Sequence, residues 1–146
     1  MNTLAEHFSK FLPEQVEVLT LEKFKEHEAV QALISLETSL KEKYSNSLIS
    51  IKMIIKVELG VAFATLLISD KSCFHKIRIK LYTRKEYTEI FPLELCFERY
   101  TNTNLDFSST RVSKSCSELV CLIEEILKNP SFQSKMKTIL RNSKAS

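Results

Sequence analysis

Lys76-Ile77-Arg78-Ile79-Lys80-Leu81-Tyr82, followed by Tyr87-Thr88-Glu89-Ile90-Phe91-Pro92 and then Leu93-Glu94-Leu95-Cys96-Phe97-Glu98, is the stretch whose reading decides the fold. Both outer segments alternate apolar and polar side chains, the period of a half-buried β-strand. The residues between them are too few for a crossover of about a dozen or more residues, so the two strands are expected to be antiparallel neighbours.

Upstream, Ile49, Ile51, Met53, Ile55 and Val57 alternate with Ser50, Lys52, Ile54 and Lys56, which predicts another strand, closed by Gly60. Val61 to Ser69 is apolar on both faces, as a central strand would be, and Asp70, Lys71 and Ser72 supply the next turn. The expectation is a four-stranded antiparallel meander in an α+β domain. Downstream, Thr101 to Lys114 is rich in Asn and Ser and reads as a surface loop.

Helices flank the strands. Leu4, Phe8 and Leu12 have helical spacing, and Pro13 limits that segment. A longer helix is expected from after Thr20 to about Lys43, with Val30, Leu33, Leu36 and Leu40 on one face. At ~1.5 Å per residue it would run about 36 Å, more than a small sheet covers, so its beginning is expected to bend or to serve a binding surface. Ser115 and Glu118 have capping-box spacing ahead of Leu119, Leu122, Ile123 and Ile126. Asn129 and Pro130 end that helix and start a last one carrying Phe132, Met136, Ile139 and Leu140.

Composition narrows the function classes. A chain of 146 residues with 44% hydrophobic and 27% charged side chains can bury one ordinary core. Its single glycine leaves little from which to build a phosphate-cradling loop. A net charge of +3 does not imply nucleic acid unless it is concentrated on one face. Lys52, Lys56, Lys76, Arg78 and Lys80 could form such a face, but Glu94 and Glu98 are expected beside them, with Tyr82 the one aromatic there. A charge-paired, solvated sheet surface is therefore the expectation, without nucleic acid.

Cys73, Cys96, Cys116 and Cys121 show no CxxC spacing, so reduced, mostly buried thiols are expected and no metal. His7, His27 and His75 are scattered among charged neighbours and read as surface residues. The longest apolar stretch, Leu59 to Ile68, is too short to span a bilayer, and Met1 to Lys10 has no signal-like pattern. An intracellular protein, cytoplasmic or nuclear, is expected.

The order helix, meander, Tyr-to-Pro connection and terminal helices resembles that of RWD domains, over about residues 24 to 128. Tyr87 and Pro92 stand at the outer positions of that family's Tyr-Pro-x-x-x-Pro signature, with Thr88 in place of its first proline; Glu28, Ala29, Leu33, Ile34 and Leu36 match its opening helix. The resemblance implies the fold of ubiquitin-conjugating enzymes without their chemistry, and a role in docking other proteins. Pro92 would suit the beginning of an edge strand, and Tyr87 would place its ring in the core. An active conjugating enzyme fits poorly. No His-Pro-Asn segment precedes Cys116, Asn102 and Asn104 stand alone, and the chain has no tryptophan.

The sequence thus predicts an N-terminal docking helix and linker over residues 1–20, an RWD-like domain over 21–141 and a frayed tail over 142–146. The expected function is that of a non-enzymatic adaptor or subunit in a larger assembly, with protein partners, no cofactor and no small-molecule substrate. Phe8, Leu12 and Phe24 are the candidate partner-binding residues, as apolar side chains left over from the core. The alternative is a bacterial secretion chaperone or toxin-neutralising protein, although such proteins are more often acidic.

Overall fold

A computed structural model of the chain describes residues 3–13, 19–58, 61–83 and 90–144. Gly60 and Tyr87, and with them the strand-closing and core-plugging roles expected of them, lie outside these residues. The elements run α1 (Thr3–Ser9), α2 (Leu21–Glu26), α3 (Glu28–Lys43), β1 (Ser50–Glu58), β2 (Val61–Ser69), β3 (His75–Thr83), β4 (Leu93–Thr101), β5 (Asn104–Ser113), α4 (Cys116–Lys128) and α5 (Pro130–Arg141). The α+β class and the antiparallel meander are as expected, but the sheet has five strands, in the order β1-β2-β3-β4-β5.

The fifth strand corrects the reading of Thr101 to Lys114 as a loop. β5 is an edge strand, largely exposed on both faces, so it lacks the apolar alternation that marks the others. It is held by its ladder to β4, with an irregularity at Arg99/Tyr100, and by the Phe107 ring 5.5 Å from that of Phe97. The turn before it is made by Asn102, whose φ of 57° lies in the left-handed region that asparagine tolerates better than most residues. Because β5 covers β4, Pro92 does not open an edge strand. It sits one residue before Leu93, outside the ladder, where its missing N–H costs no sheet hydrogen bond.

The helix expected from Thr20 to Lys43 is broken at His27, which takes an extended conformation (φ −66°, ψ 142°) and serves at once as C-cap of α2 and N-cap of α3. The expected bend is thus a full interruption. Phe24 can thereby turn into the core while α3 lies along the sheet. α3 packs on β1 and β2, α5 on β3, and α4 on β4 and β5, so one face of the sheet is roofed by helices.

The core between them is built from Leu66, Ile68, Ile77, Ile79, Leu81, Leu95 and Phe97 on the strands. Phe24, Leu33, Leu119 and Ile139 meet them from the helices, all fully buried. Full burial of each such side chain stabilises the fold by about 1.5–3 kcal/mol before entropy is counted. Both expected helix caps form: the Ser115 hydroxyl accepts from the Glu118 N–H, and the Asn129 side chain accepts from the Ser131 N–H. The Glu118 carboxylate reaches back to the Lys114 N–H, one residue beyond the N–H of the reciprocal capping-box bond. The expected fraying of the tail does not extend to residues 142–144. The Ser143 carbonyl accepts from the Leu48 N–H at 2.6 Å, and Ser47 and Lys144 pair as a β-bridge.

Candidate functional site

Three regions carry side chains beyond what the core uses. The first is α1. Its Thr3–Ser9 turn and the residues after it present Leu4 (63% exposed), Phe8 (59%), Phe11 (75%) and Leu12 (67%) at i, i+4, i+7 and i+8, and the helix buries no residue at all. The His7 ring stands edge-on to Phe11 with centroids 5.2 Å apart, so the aromatic side chains gather among themselves. Of the three partner-binding candidates, Phe8 and Leu12 are therefore on the surface. Phe24 is not: it is completely buried, and the break at His27 is what turns it inward.

The second region is the sheet face away from the helices. Cross-strand registers place Lys56, Phe63, Tyr82 and Glu94 in one row, Ile54, Thr65, Lys80 and Cys96 in the next, and Lys52, Leu67, Arg78 and Glu98 in a third. A fourth row holds Ser69, Lys76 and Tyr100. Charge pairing across β3 and β4 is present in one place. Arg78 Nε donates to Glu98 at 2.7 Å, and the Tyr100 hydroxyl donates to the same carboxylate at 2.9 Å. Burial, then that bond to Glu98, pushes the Tyr100 phenol above its ordinary value, so it stays protonated and donates.

Two aromatic residues missed from sequence, Phe63 and Tyr100, join Tyr82 on this face. Lys80 Nζ lies 4.9 Å from the Phe63 ring centre and 5.2 Å from that of Tyr82, and the Arg78 guanidinium lies 5.5 Å from that of Tyr100. Phe63 was hidden because β2 is apolar on both faces. Tyr100 was hidden because the polar run after it obscured where β4 ends.

The third region is a buried polar cluster at one end of the sheet. Lys135 of α5 is 3% exposed; its ammonium donates to Thr101 Oγ1 at 2.7 Å, meets His75 Nδ1 at 2.9 Å and lies 3.4 Å from Asp106. The bond from Thr101 holds the Asp106 carboxyl below the usual carboxylate range against the opposing effect of desolvation, which comes next in size, with help from the Lys135 ammonium. Beside it, the buried Asp70 carboxylate accepts from the Phe74 and His75 N–H groups and the Ser72 hydroxyl, fixing the β2–β3 turn. His75 is thus a half-buried member of a network and not the surface histidine expected. The cluster is satisfied internally and ties α5 to three strands.

The cysteines are less buried than expected: Cys73 and Cys121 are exposed, and Cys96 and Cys116 are half-buried. Cys116 opens α4, where a helix N-terminus would favour its thiolate. Burial and the neighbouring Glu28, through both charge and hydrogen bonding, instead push the thiol up. Among the described residues no group of three His, Cys, Asp or Glu side chains is placed to hold a metal ion, and no helix is long and apolar enough to cross a membrane. No family model matches the chain, and no curated protein or solved structure matches it significantly.

Proposed function

We propose that this chain is a non-enzymatic protein-interaction module with an RWD-like fold, acting as one subunit of a larger assembly. Its α1 segment is the part that enters an apolar groove on a protein partner. The observation that carries the reading is the run of Leu4 and Phe8 on α1 and Phe11 and Leu12 in the turn that follows it, all more than half exposed, with no residue of α1 buried. Apolar anchors at i, i+4 and i+7 are the pattern by which an amphipathic helix is received in a groove. The RWD-like reading rests on the order of elements and on the position of Tyr87 and Pro92 between β3 and β4. The raised pKa of Cys116 favours a scaffold over a thiol-based transfer enzyme.

The test places a photoreactive phenylalanine analogue at Phe8, identifies the protein that it captures in the native cell, and reconstitutes that protein with purified chain. Phe8→Ala with Leu12→Ala is expected to weaken the reconstituted complex about 100-fold, as loss of two central anchors does, and to leave the melting temperature unchanged. Unaltered binding, or a drop of several degrees in melting temperature, would contradict the reading.

A further inference from the structure

The exposed sheet face carries a shallow trough of about 620 Å³, lined by four cations, Lys56, Lys76, Arg78 and Lys80, together with Phe63 and Tyr100; none of its lining residues is acidic. Glu94 and Glu98 share the face but not the trough, and Glu98 is already engaged by Arg78 and Tyr100. Lys56, Lys76 and Lys80 form no ion pair with a carboxylate among the described residues. The cationic row is therefore neutralised only at Arg78, while its three lysines are left without a carboxylate, and it is interleaved with rings.

The spacing has a further feature. Along β3 from Tyr82 to Lys76 the face presents a ring pair (Phe63 and Tyr82), a cation (Lys80), a second cation beside a ring (Arg78 and Tyr100) and a third cation (Lys76). That run of seven residues covers about 20 Å over its six steps of ~3.4 Å. A single nucleic-acid strand repeats the complementary pair, an anion and a flat ring, at ~3.4 Å when stacked and at longer intervals when extended. An acidic peptide would satisfy the lysines but would have no regular use for the rings. We propose that this trough binds single-stranded nucleic acid without strong sequence preference, its lysines meeting phosphates and Phe63 and Tyr100 receiving bases. The site involves no residue of α1.

The experiment is fluorescence anisotropy of labelled 12-nucleotide oligo-uridine and oligo-thymidine titrated with the whole chain at 50 and 200 mM NaCl. Three unpaired lysines on three phosphates give a salt slope of about −2, hence a loss of roughly 20-fold in affinity between those salts. Lys76→Ala with Lys80→Ala is expected to reduce that loss to about threefold, and Phe63→Leu to weaken binding about tenfold at either salt. Binding of the uridine strand, the thymidine strand or both with this salt dependence supports the site and shows whether the sugar matters. Absence of binding at tens of micromolar chain in 50 mM salt overturns it. So does equal displacement by an oligoglutamate peptide of the same charge, which would assign the face to an acidic protein segment. The wild-type titration and the peptide competition decide without any variant, should a variant fail to fold.

Discussion

His27 shows how much one side chain can set. Its backbone leaves the helical region, its Nδ1 accepts from the Ala29 N–H at 3.1 Å, and its ring lies 5.5 Å from that of Phe91. Accepting a hydrogen bond requires the neutral imidazole at that nitrogen, and burial holds the pKa below the ordinary 6.5, outweighing the opposite pull of Glu28. The sign follows from linkage: below pH 6.5 the unfolded chain takes up a proton that the folded chain resists, so the contribution is complete above 6.5 and is lost as pH falls toward the folded value. Melting curves at pH 7.5 and 5.5 should show a smaller drop for His27→Asn, which caps without titrating, than for the wild type; equal drops would remove His27 from the account.

Lys135 is the second such residue. Removing its ammonium takes the ion pair from Asp106 and a hydrogen bond from Thr101 and His75, and opens space under α5. Lys135→Ala should destabilise the chain by about 2 kcal/mol in urea unfolding, discounted from a fully buried pair because Asp106 is partly exposed, and Lys135→Met by less, since the stem still packs. Its burial was legible in principle. Phe132, Lys135, Met136 and Ile139 occupy i, i+3, i+4 and i+7, so a lysine stands on the apolar stripe itself. The partners were not legible, because Thr101 and Asp106 flank a turn whose register only the β4–β5 ladder defines.

At the scale of elements, β1, β3 and β4 could be read from period-2 alternation because each buries one face against the helical roof, and β2 as a central strand from its apolar run. β5 could not, since on this edge strand most side chains are exposed although α4 packs beside it, so backbone bonds to its neighbour stabilise it most, and those leave little trace in side-chain pattern. The interruption between α2 and α3 was hidden for a related reason. Histidine is a rare cap, and the apolar stripe of α3 continues the helical period past it. Caps with the usual chemistry were read correctly, and they predict measurable costs. Ser115→Ala and Asn129→Ala should each lower stability by about 1 kcal/mol in chemical denaturation, by removing the acceptor for an otherwise orphan N–H. A change within a few tenths of a kcal/mol for both would mean that the caps contribute little here.

At the scale of the molecule, the helices roof one face of a twisted five-stranded sheet and leave the other open. The core closes without α1, which is why the large apolar side chains of Leu4 and Phe8 on it, and of Phe11 and Leu12 just after it, call for a partner to explain them; isolated exposed apolar residues are ordinary, whereas four within nine residues are not. Sequence alone found Phe8 and Leu12 by helical spacing but could not separate them from Phe24, because the three have the same chemistry and differ only in whether their segment packs on the sheet, as α2 does on β1. The central claim is that this run is reserved for another protein. The most direct measurement is photocrosslinking in the native cell with the reactive phenylalanine analogue at Phe8, compared with the same analogue at Lys41, an exposed position on α3. The account predicts one protein captured reproducibly at Phe8, lost when Leu4 and Phe11 are both changed to alanine, and absent at Lys41. Capture at Phe8 no greater than at Lys41, or undiminished by those changes, would contradict it.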